Sequence, residues 1–477
     1  MKPTATLYGP IPPGRGVYCN RTLNLRSIRA IGYDMDYTLI HYNAEEWERL
    51  AYEFIRDRLA ESGWPVAGLT FDPGFVIQGL IIDRELGNII KANRFGYVKR
   101  AAHGTRMLDH EAQRQAYGRV VVDLADPRWF FLNTLFSLSE ACLYAQLVDL
   151  LDAGVLKDVH GYPELYSRVR QLLDEAHMEG QIKSRIIENP SQFVVLDELA
   201  PKALLDQRDA GKRLLLITNS EWSYTRALMA YAFDPFLPGG MTWRDLFEVM
   251  VVGARKPVFF SESAPFFELV DETGLLRPCP GGVKPRGIYV GGNALRIERD
   301  LGLQGSDILY VGDHIYADVH VSKSIRRWRT AVVLRDLENE IAASEAFGPT
   351  QDTLDTLMAD KVDLEREYSQ LRLEQQHRQR GLGPRLGDEG GSIQERMTSL
   401  RGRLVALDAE IQPLAISASQ LSNSHWGLLM RTGNDKSYLA RQIERHADVY
   451  TSRVSNFAYE SPFVFLRSPR GSLPHDR

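Results

Sequence analysis

Two aspartates one residue apart, Asp34 and Asp36, directly follow the apolar run Ile28 to Tyr33, and Thr38 stands two positions further on. A strand ending there sets both carboxylates on a loop at its C-terminal end, the edge at which open α/β sheets bind ligands. One carboxylate in such a place can attack an electrophile, and the second can hand a proton to the departing group. Alone, the D-x-D-x-T string is equally compatible with an Asx turn or a helix cap.

Three further runs end in complementary chemistry, in chain order. Leu214 to Ile217 is followed by Thr218, Asn219 and Ser220, whose hydroxyls and amide can donate to phosphate oxygens, although in isolation they read as a helix N-cap. Val249 to Val252 leads to Lys256, a point cation suited to developing phosphoryl charge, or else a solvated side chain before Pro257. Ile308 to Val311 leads to Gly312, Asp313, His314 and then Asp318, carboxylates able to complete an oxygen-only magnesium site with Asp34. Together these residues point to an aspartyl-phosphate formed on one carboxylate. A metal and a lysine would steady the phosphoryl oxygens while the second carboxylate acts as acid and then base.

Such chemistry needs a scaffold that gathers four strand ends. The runs above, with Ala331 to Leu334, read as buried parallel strands, and helical patterns such as Glu45 to Ser62 and Tyr224 to Tyr231 lie between them. The alternation predicts a doubly wound α/β core. The first and second strands are about 180 residues apart, far more than a crossover of about a dozen residues needs, so an inserted cap domain is expected. From Leu354 an apolar spacing of about 3.5 residues runs through Leu357, Leu364, Tyr368 and Leu371. It returns at Met397, Leu400, Leu404, Leu407 and Ile411, so two helices are expected to pair. Between them Arg380 to Gly391 is Gly-rich and reads as a mobile, exposed linker.

The chain has 477 residues, 44% apolar and 25% charged, which excludes a disordered, collagen-like or disulfide-scaffold protein. Its net charge of −5 lacks the basic excess of a nucleic-acid binder. Pro and Gly fill the N-terminal stretch where a signal peptide would be apolar, and the apolar stretch Leu132 to Leu151 is broken by Ser137, Ser139, Glu140, Gln146 and Asp149. The expectation is a buried helix there, no membrane partner, and a cytoplasmic protein. Cys19, Cys142 and Cys279 are odd in number and lack metal-type spacing, as reduced thiols would.

The order DMDYTL, ITNS, Lys256 and GDHIYADV resembles the haloacid dehalogenase (HAD) superfamily. Longer strings are similar to the cytosolic purine 5′-nucleotidases: NRTLNLRSIRAIGYDMDYTL, IDRELGNIIKANRFGYVKRAAHG, FFLNTLFSLSEACLYAQLVDLL, ARKPVFF, DILYVGDHIYADV and Arg441 to Leu466. The likeness runs from about Val17 to Arg467. It implies a HAD-like doubly wound parallel core (1–40 and 211–345), a large inserted cap (41–210), a helical hairpin (346–415) and a C-terminal segment (416–477) packed on the core.

Carried over by position, the resemblance makes Asp34 the nucleophile and Asp36 the general acid/base, whose main-chain carbonyl also coordinates Mg2+. Asp313 becomes the third metal ligand and Asp318 a support of that site. Thr218, Asn219, Ser220 and Lys256 hold the phosphate, Phe136 stacks on a purine, and Arg170, Asp174, His177 and Lys183 surround the nucleoside. Without the family, Arg170, Asp174 and His177 at i, i+4 and i+7 form a surface salt-bridge stripe, and Phe136 is core. Met178 and Ser137 stand where the animal enzymes have a tyrosine and an asparagine, which leaves the preferred base open.

The implied reaction is Mg2+-dependent hydrolysis of nucleoside 5′-monophosphates, IMP and GMP first, with phosphotransfer to nucleosides alongside, in a homo-oligomer. The mammalian relatives' second nucleotide site falls near Asn133, Tyr316, Gln442 and Arg445. Here Ser324 replaces a basic residue, and VVVDLADPR offers acids where an arginine is expected. Two other functions compete: a HAD phosphatase for another small ester, and a non-catalytic binding protein. Against the second, Asp34, Asp36, Lys256 and Asp313 are all present.

Overall fold

A computed structural model describes residues 6–178, 180–382 and 393–471, without the side chains of 176–178. The side chain of His177 and residues 383–391 of the linker therefore fall outside what is described. Two compact units are formed, one by Met1–Glu338 with Leu429–Arg477, the other by Asn339–Leu428.

The first unit is built on a ten-stranded sheet: β1 (Val17–Cys19), β2 (Ala30–Tyr33), β3 (Arg213–Ile217), β4 (Val249–Val252), β5 (Phe266–Leu269), β6 (Leu276–Pro278), β7 (Gly287–Gly291), β8 (Ile308–Gly312), β9 (Arg329–Val333) and β10 (Val449–Thr451). The spatial order is β1-β10-β9-β8-β2-β3-β4-β7-β5-β6. From β10 to β7 all neighbours are parallel, and antiparallel strands close both edges. The expected doubly wound α/β architecture is present. Its inner strands are continuous apolar runs because both faces are covered. Ile31, Tyr33, Leu214, Leu216, Met250, Leu309 and Val311 pack on one face, while Ala30, Leu215, Ile217, Val249, Ile308 and Tyr310 pack on the other. That is the two-residue period of a strand.

From β2 the chain winds outward through β3 and β4 on one side, then returns to place β8 and β9 on the other. Asp34 thus leaves the sheet at the point where the winding reverses, the usual position of a ligand crevice.

Between β2 and β3 the chain leaves and rejoins the core through a two-stranded ribbon, His41–Tyr42 against Val194–Val195. The excursion holds a five-stranded antiparallel sheet and the helices α1 (Ala44–Glu61), α2 (Leu138–Asp152), α3 (Tyr162–Met178) and α4 (Gln181–Glu188). The side chain of Asn43 caps α1 by accepting from Glu46 N. The buried helix expected over Leu132 to Leu151 is shorter than that. Trp129–Phe131 is a strand, Leu135–Ser137 a 3-10 turn, and α2 begins only at Leu138. Hydropathy cannot separate a buried strand end from a buried helix, and here Asn133 and Thr134 divide the two. After β3, α5 (Trp222–Phe233) packs back on the sheet.

The second unit is a helical hairpin. Its helices are α6 (Leu337–Arg380), which starts earlier than expected and runs through Pro349, and α7 (Ile393–Ser419). Leu371, Met397 and Leu400 pack together with Leu364, Tyr368 and Ile393, and Lys361–Asp408 and Glu367–Arg396 ion pairs bridge the helices. Among the described residues no helix is long and apolar enough to cross a membrane.

Candidate active site

Backbone hydrogen bonds lace the loops beyond β8, β2, β3 and β4 to their neighbours. Asp34 N donates to Val311 O (2.9 Å), Thr218 N to Val251 O (2.9 Å) and Ala254 N to Thr218 O (2.9 Å). Tyr37 and Arg255, adjoining Asp36 and Lys256, hold left-handed φ of 53° and 62°, a conformation that non-glycine residues adopt only under local constraint.

Inside this frame the sequence-expected residues converge. Lys256 Nζ lies 2.7 Å from Asp34 Oδ1 and 2.7 Å from Asp318 Oδ1, and it donates to the Tyr310 hydroxyl at 3.1 Å. Tyr310 in turn donates to Ile217 O (2.9 Å). Two glycines make room for this packing. A Cβ on Gly32 would sit 2.7 Å from the Tyr310 ring, and one on Gly312 would sit 2.5 Å from the Asp318 carboxylate carbon. Neither position tolerates a side chain while Lys256 keeps its partners.

Carboxylate oxygens of Asp34, Asp313 and Asp318 all lie within 4.8 Å of one another, and all three residues are buried. Thr134 Oγ1 donates to Asp313 Oδ2 at 3.0 Å. Three buried carboxylates face one ammonium, so the cluster is short of positive charge. Burial pushes Asp34 up to about 6 despite Lys256, and burial with Asp318 and Asp34 as neighbours pushes Asp313 well above the carboxylate range. Burial pulls Lys256 down, but Asp318 and Asp34 outweigh it and hold the ammonium charged. An oxygen-only donor set with uncompensated negative charge fits a hard divalent cation such as Mg2+.

Asp36 turns elsewhere. Its Oδ2 accepts from Ser220 Oγ (2.6 Å) and its Oδ1 from the Tyr42 hydroxyl (2.5 Å). Burial raises its pKa, against the pull of Lys183. Asn219 spends both ends of its amide on Lys256, with Nδ2 donating to Lys256 O (3.1 Å) and Oδ1 accepting from Lys256 N (2.6 Å). In this structure it braces the lysine. Thr218 Oγ1 accepts from Ser220 N (3.1 Å).

The residues between β2 and β3 approach to different degrees. Phe136 meets Tyr37 edge-on at 4.5 Å and Trp47 at 4.6 Å, which ties it to the Asp34 loop. Lys183 Nζ donates to Ser220 Oγ (3.2 Å) and pairs with Glu221 (2.8 Å). Arg170 pairs with the fully buried Glu140 (3.0 Å) and with Asp174 (3.2 Å). It lies near enough to His314 to help lower that ring to about 4, after burial and Lys256. Asp174 is exposed and pairs with Arg170, not with the carboxylate cluster. Sequence reasoning missed Tyr42, Thr134, Glu140 and Tyr310. Only Tyr310 left a signal, a lone tyrosine inside the aliphatic run ILYVG.

Several known proteins are similar to this chain. A 5′-nucleotidase domain-containing protein of Dictyostelium discoideum is 26% identical over 469 residues, covering 96% of this chain and 74% of that one. Among solved structures, an archaeal β-phosphoglucomutase from Pyrococcus has 12% identity and a TM-score of 0.30, covering 64% of this chain and 86% of that one. A predicted phosphoglycolate phosphatase from Haemophilus somnus has 12% identity and a TM-score of 0.29, covering 64% and 85%. At such TM-scores neither structural likeness bears on the site. The model of the 5′ nucleotidase family matches residues 17–477, from β1 through both units, and on that match the chain belongs to the 5′ nucleotidase family.

Proposed function

We propose that this 5′-nucleotidase hydrolyses purine nucleoside 5′-monophosphates, IMP and GMP ahead of AMP, through an aspartyl-phosphate on Asp34. The observation that carries this reading is the pairing of Asp34 with Lys256 at 2.7 Å, beside Asp313 and Asp318, with Asp36 two residues away on the same loop.

An Asp34 oxygen attacks phosphorus and the bond from phosphorus to the 5′ oxygen breaks. Asp36, whose burial favours the protonated form, gives its proton to that oxygen. Asp36 then takes a proton from water, whose oxygen attacks the aspartyl-phosphate, releasing phosphate and regenerating Asp34. A nucleoside hydroxyl in place of water gives phosphotransfer. Lys256 and the Thr218 hydroxyl steady the phosphoryl oxygens, while Ser220 keeps its proton on Asp36. Mg2+, held by Asp34, Asp313 and the Asp36 carbonyl with Asp318 in support, supplies further positive charge when bound. Phe136 offers its ring to the base, and the Glu140 and Asp174 pairs fix the plane of Arg170, whose remaining donors suit a 6-oxo group.

Phosphate release from IMP, GMP, AMP, CMP and a set of sugar phosphates, with and without Mg2+, tests the reading. The expected result is Mg2+-dependent release with IMP and GMP leading. Equal efficiency on IMP, AMP and CMP removes the base assignment, and preference for a sugar phosphate removes the nucleotide one.

A further inference from the structure

Tyr42 lies eight positions beyond Asp34, in the ribbon through which the chain leaves and rejoins the core, opposite Val194. It is buried, and its hydroxyl reaches Asp36 Oδ1 at 2.5 Å and the Tyr224 hydroxyl at 3.0 Å. The Trp47 indole also hydrogen-bonds to Tyr224.

Tyr42 donates to Asp36, and a hydroxyl has one proton, so the bond between the two tyrosines then runs from Tyr224 to Tyr42. The Trp47 indole, which only donates, gives its proton to Tyr224. On the far side Ser220 donates to Asp36 Oδ2 and receives from Lys183, which lies 4.9 Å over the Tyr224 ring. Asp36 is thus gripped at both oxygens by a closed circuit through five elements: its own loop, the ribbon, the loop after β3, α4 and α5. The ring of Tyr42 also meets Tyr37 edge-on at 5.1 Å, and Tyr37 meets Phe136.

We propose that Tyr42, backed by Tyr224, is a positioning residue for Asp36. It fixes the rotation of that carboxyl so that proton transfer at the 5′ oxygen needs no reorientation, and it ties this alignment to the root of the segment between β2 and β3. The inference rests on the reading of Asp36 as general acid in nucleotide hydrolysis.

Leaving-group chemistry separates alignment from general damage. The 5′ alkoxide of IMP must be protonated as it leaves, whereas the thiolate of inosine 5′-phosphorothiolate, with sulfur bridging the 5′ carbon and phosphorus, leaves without help. Measured as kcat/KM, both substrates report only steps up to formation of the aspartyl-phosphate. Tyr42→Phe keeps the ring and removes the hydroxyl. It is expected to lower kcat/KM for IMP about tenfold or more, within the range of general acid catalysis, and to leave the phosphorothiolate within about threefold of wild type. Tyr224→Phe, one hydrogen bond further out, is expected to move the same ratio by less, and it carries the test if Tyr42→Phe does not fold. An equal loss on both substrates, or no loss on IMP, overturns the positioning role while the nucleotidase reading stands. A wild-type protein that cleaves neither substrate removes both.

Discussion

The Lys256 ammonium sits 2.7 Å from Asp34 Oδ1, with the lysine side chain only 2% exposed. The same nitrogen pairs with Asp318, so one cation serves two buried carboxylates. Lys256→Met is expected to leave both uncompensated, at a cost of about 3–5 kcal/mol in the metal-free protein. Thermal unfolding with and without Mg2+ checks this: a clear drop in Tm, smaller with Mg2+ present, is expected, and an unchanged Tm speaks against the pairing.

Mg2+ stabilisation should depend on pH. Asp34 is held at about 6 by burial, above its ordinary value near 4, so the folded state binds its proton more tightly than the unfolded chain. That proton-linked stability is fully present below about pH 4 and is lost as pH rises to about 6. Mg2+ competes for the same carboxylates. Its effect on Tm is expected to be small near pH 5 and to grow through pH 6, with Asp313, raised further, extending the rise. A Mg2+ effect that stays flat from about pH 5 to 8 contradicts this.

Substrate choice is expected to turn on Arg170. Arg170→Ala should cut the ratio of kcat/KM for IMP over AMP by about tenfold or more, because a site that donates to one group discriminates through that group. The ratio is the readout, since loss of the Glu140 partner also weakens the fold. Phe136→Ala should lower both substrates together. An Arg170→Ala enzyme with the wild-type ratio rules out a base-reading role.

A cavity of about 490 Å³ includes Asn133, Tyr316, Gln442 and Arg445 in its wall. Among the described residues that line it, Arg445 is the only one with a permanent positive charge, and Asp123 shares the wall. Burial, then the neighbouring His320, pushes His446 down to about 3, and burial with Arg445 lowers His320 as well. One cation set against one carboxylate is a weak anion site. Millimolar ATP is therefore expected to raise activity by less than the roughly fivefold of ordinary allosteric coupling. A larger rise that Arg445→Ala abolishes shows otherwise.

The parts legible in the sequence were those written as continuous runs. β2, β3, β4, β8 and β9 are largely apolar runs, and the residues that follow β2, β3, β4 and β8 meet around Lys256. β1 and β10 have three residues each, β5 and β6 lie at a sheet edge with exposed positions, and β7 is mostly half-buried between two glycines, so none carries a strong apolar pattern. Tyr42 was invisible because its strand has two residues and pairs with Val194, far along the chain. The second job of Asn219 was hidden too, since nothing in ITNS tells whether an amide faces a ligand or a neighbouring backbone.

The covalent route through Asp34 can be tested on one variant. Asp36→Asn keeps the nucleophile but removes the acid and base, so turnover should fall by about 10²–10⁴ while the aspartyl-phosphate persists. Mass spectrometry of Asp36→Asn quenched during reaction with IMP and Mg2+ is expected to show one added phosphoryl group on the peptide that contains Asp34, and none when Asp34→Asn is introduced as well. A peptide without that mass, or an Asp34→Asn enzyme that still releases phosphate at a substantial rate, would contradict the account.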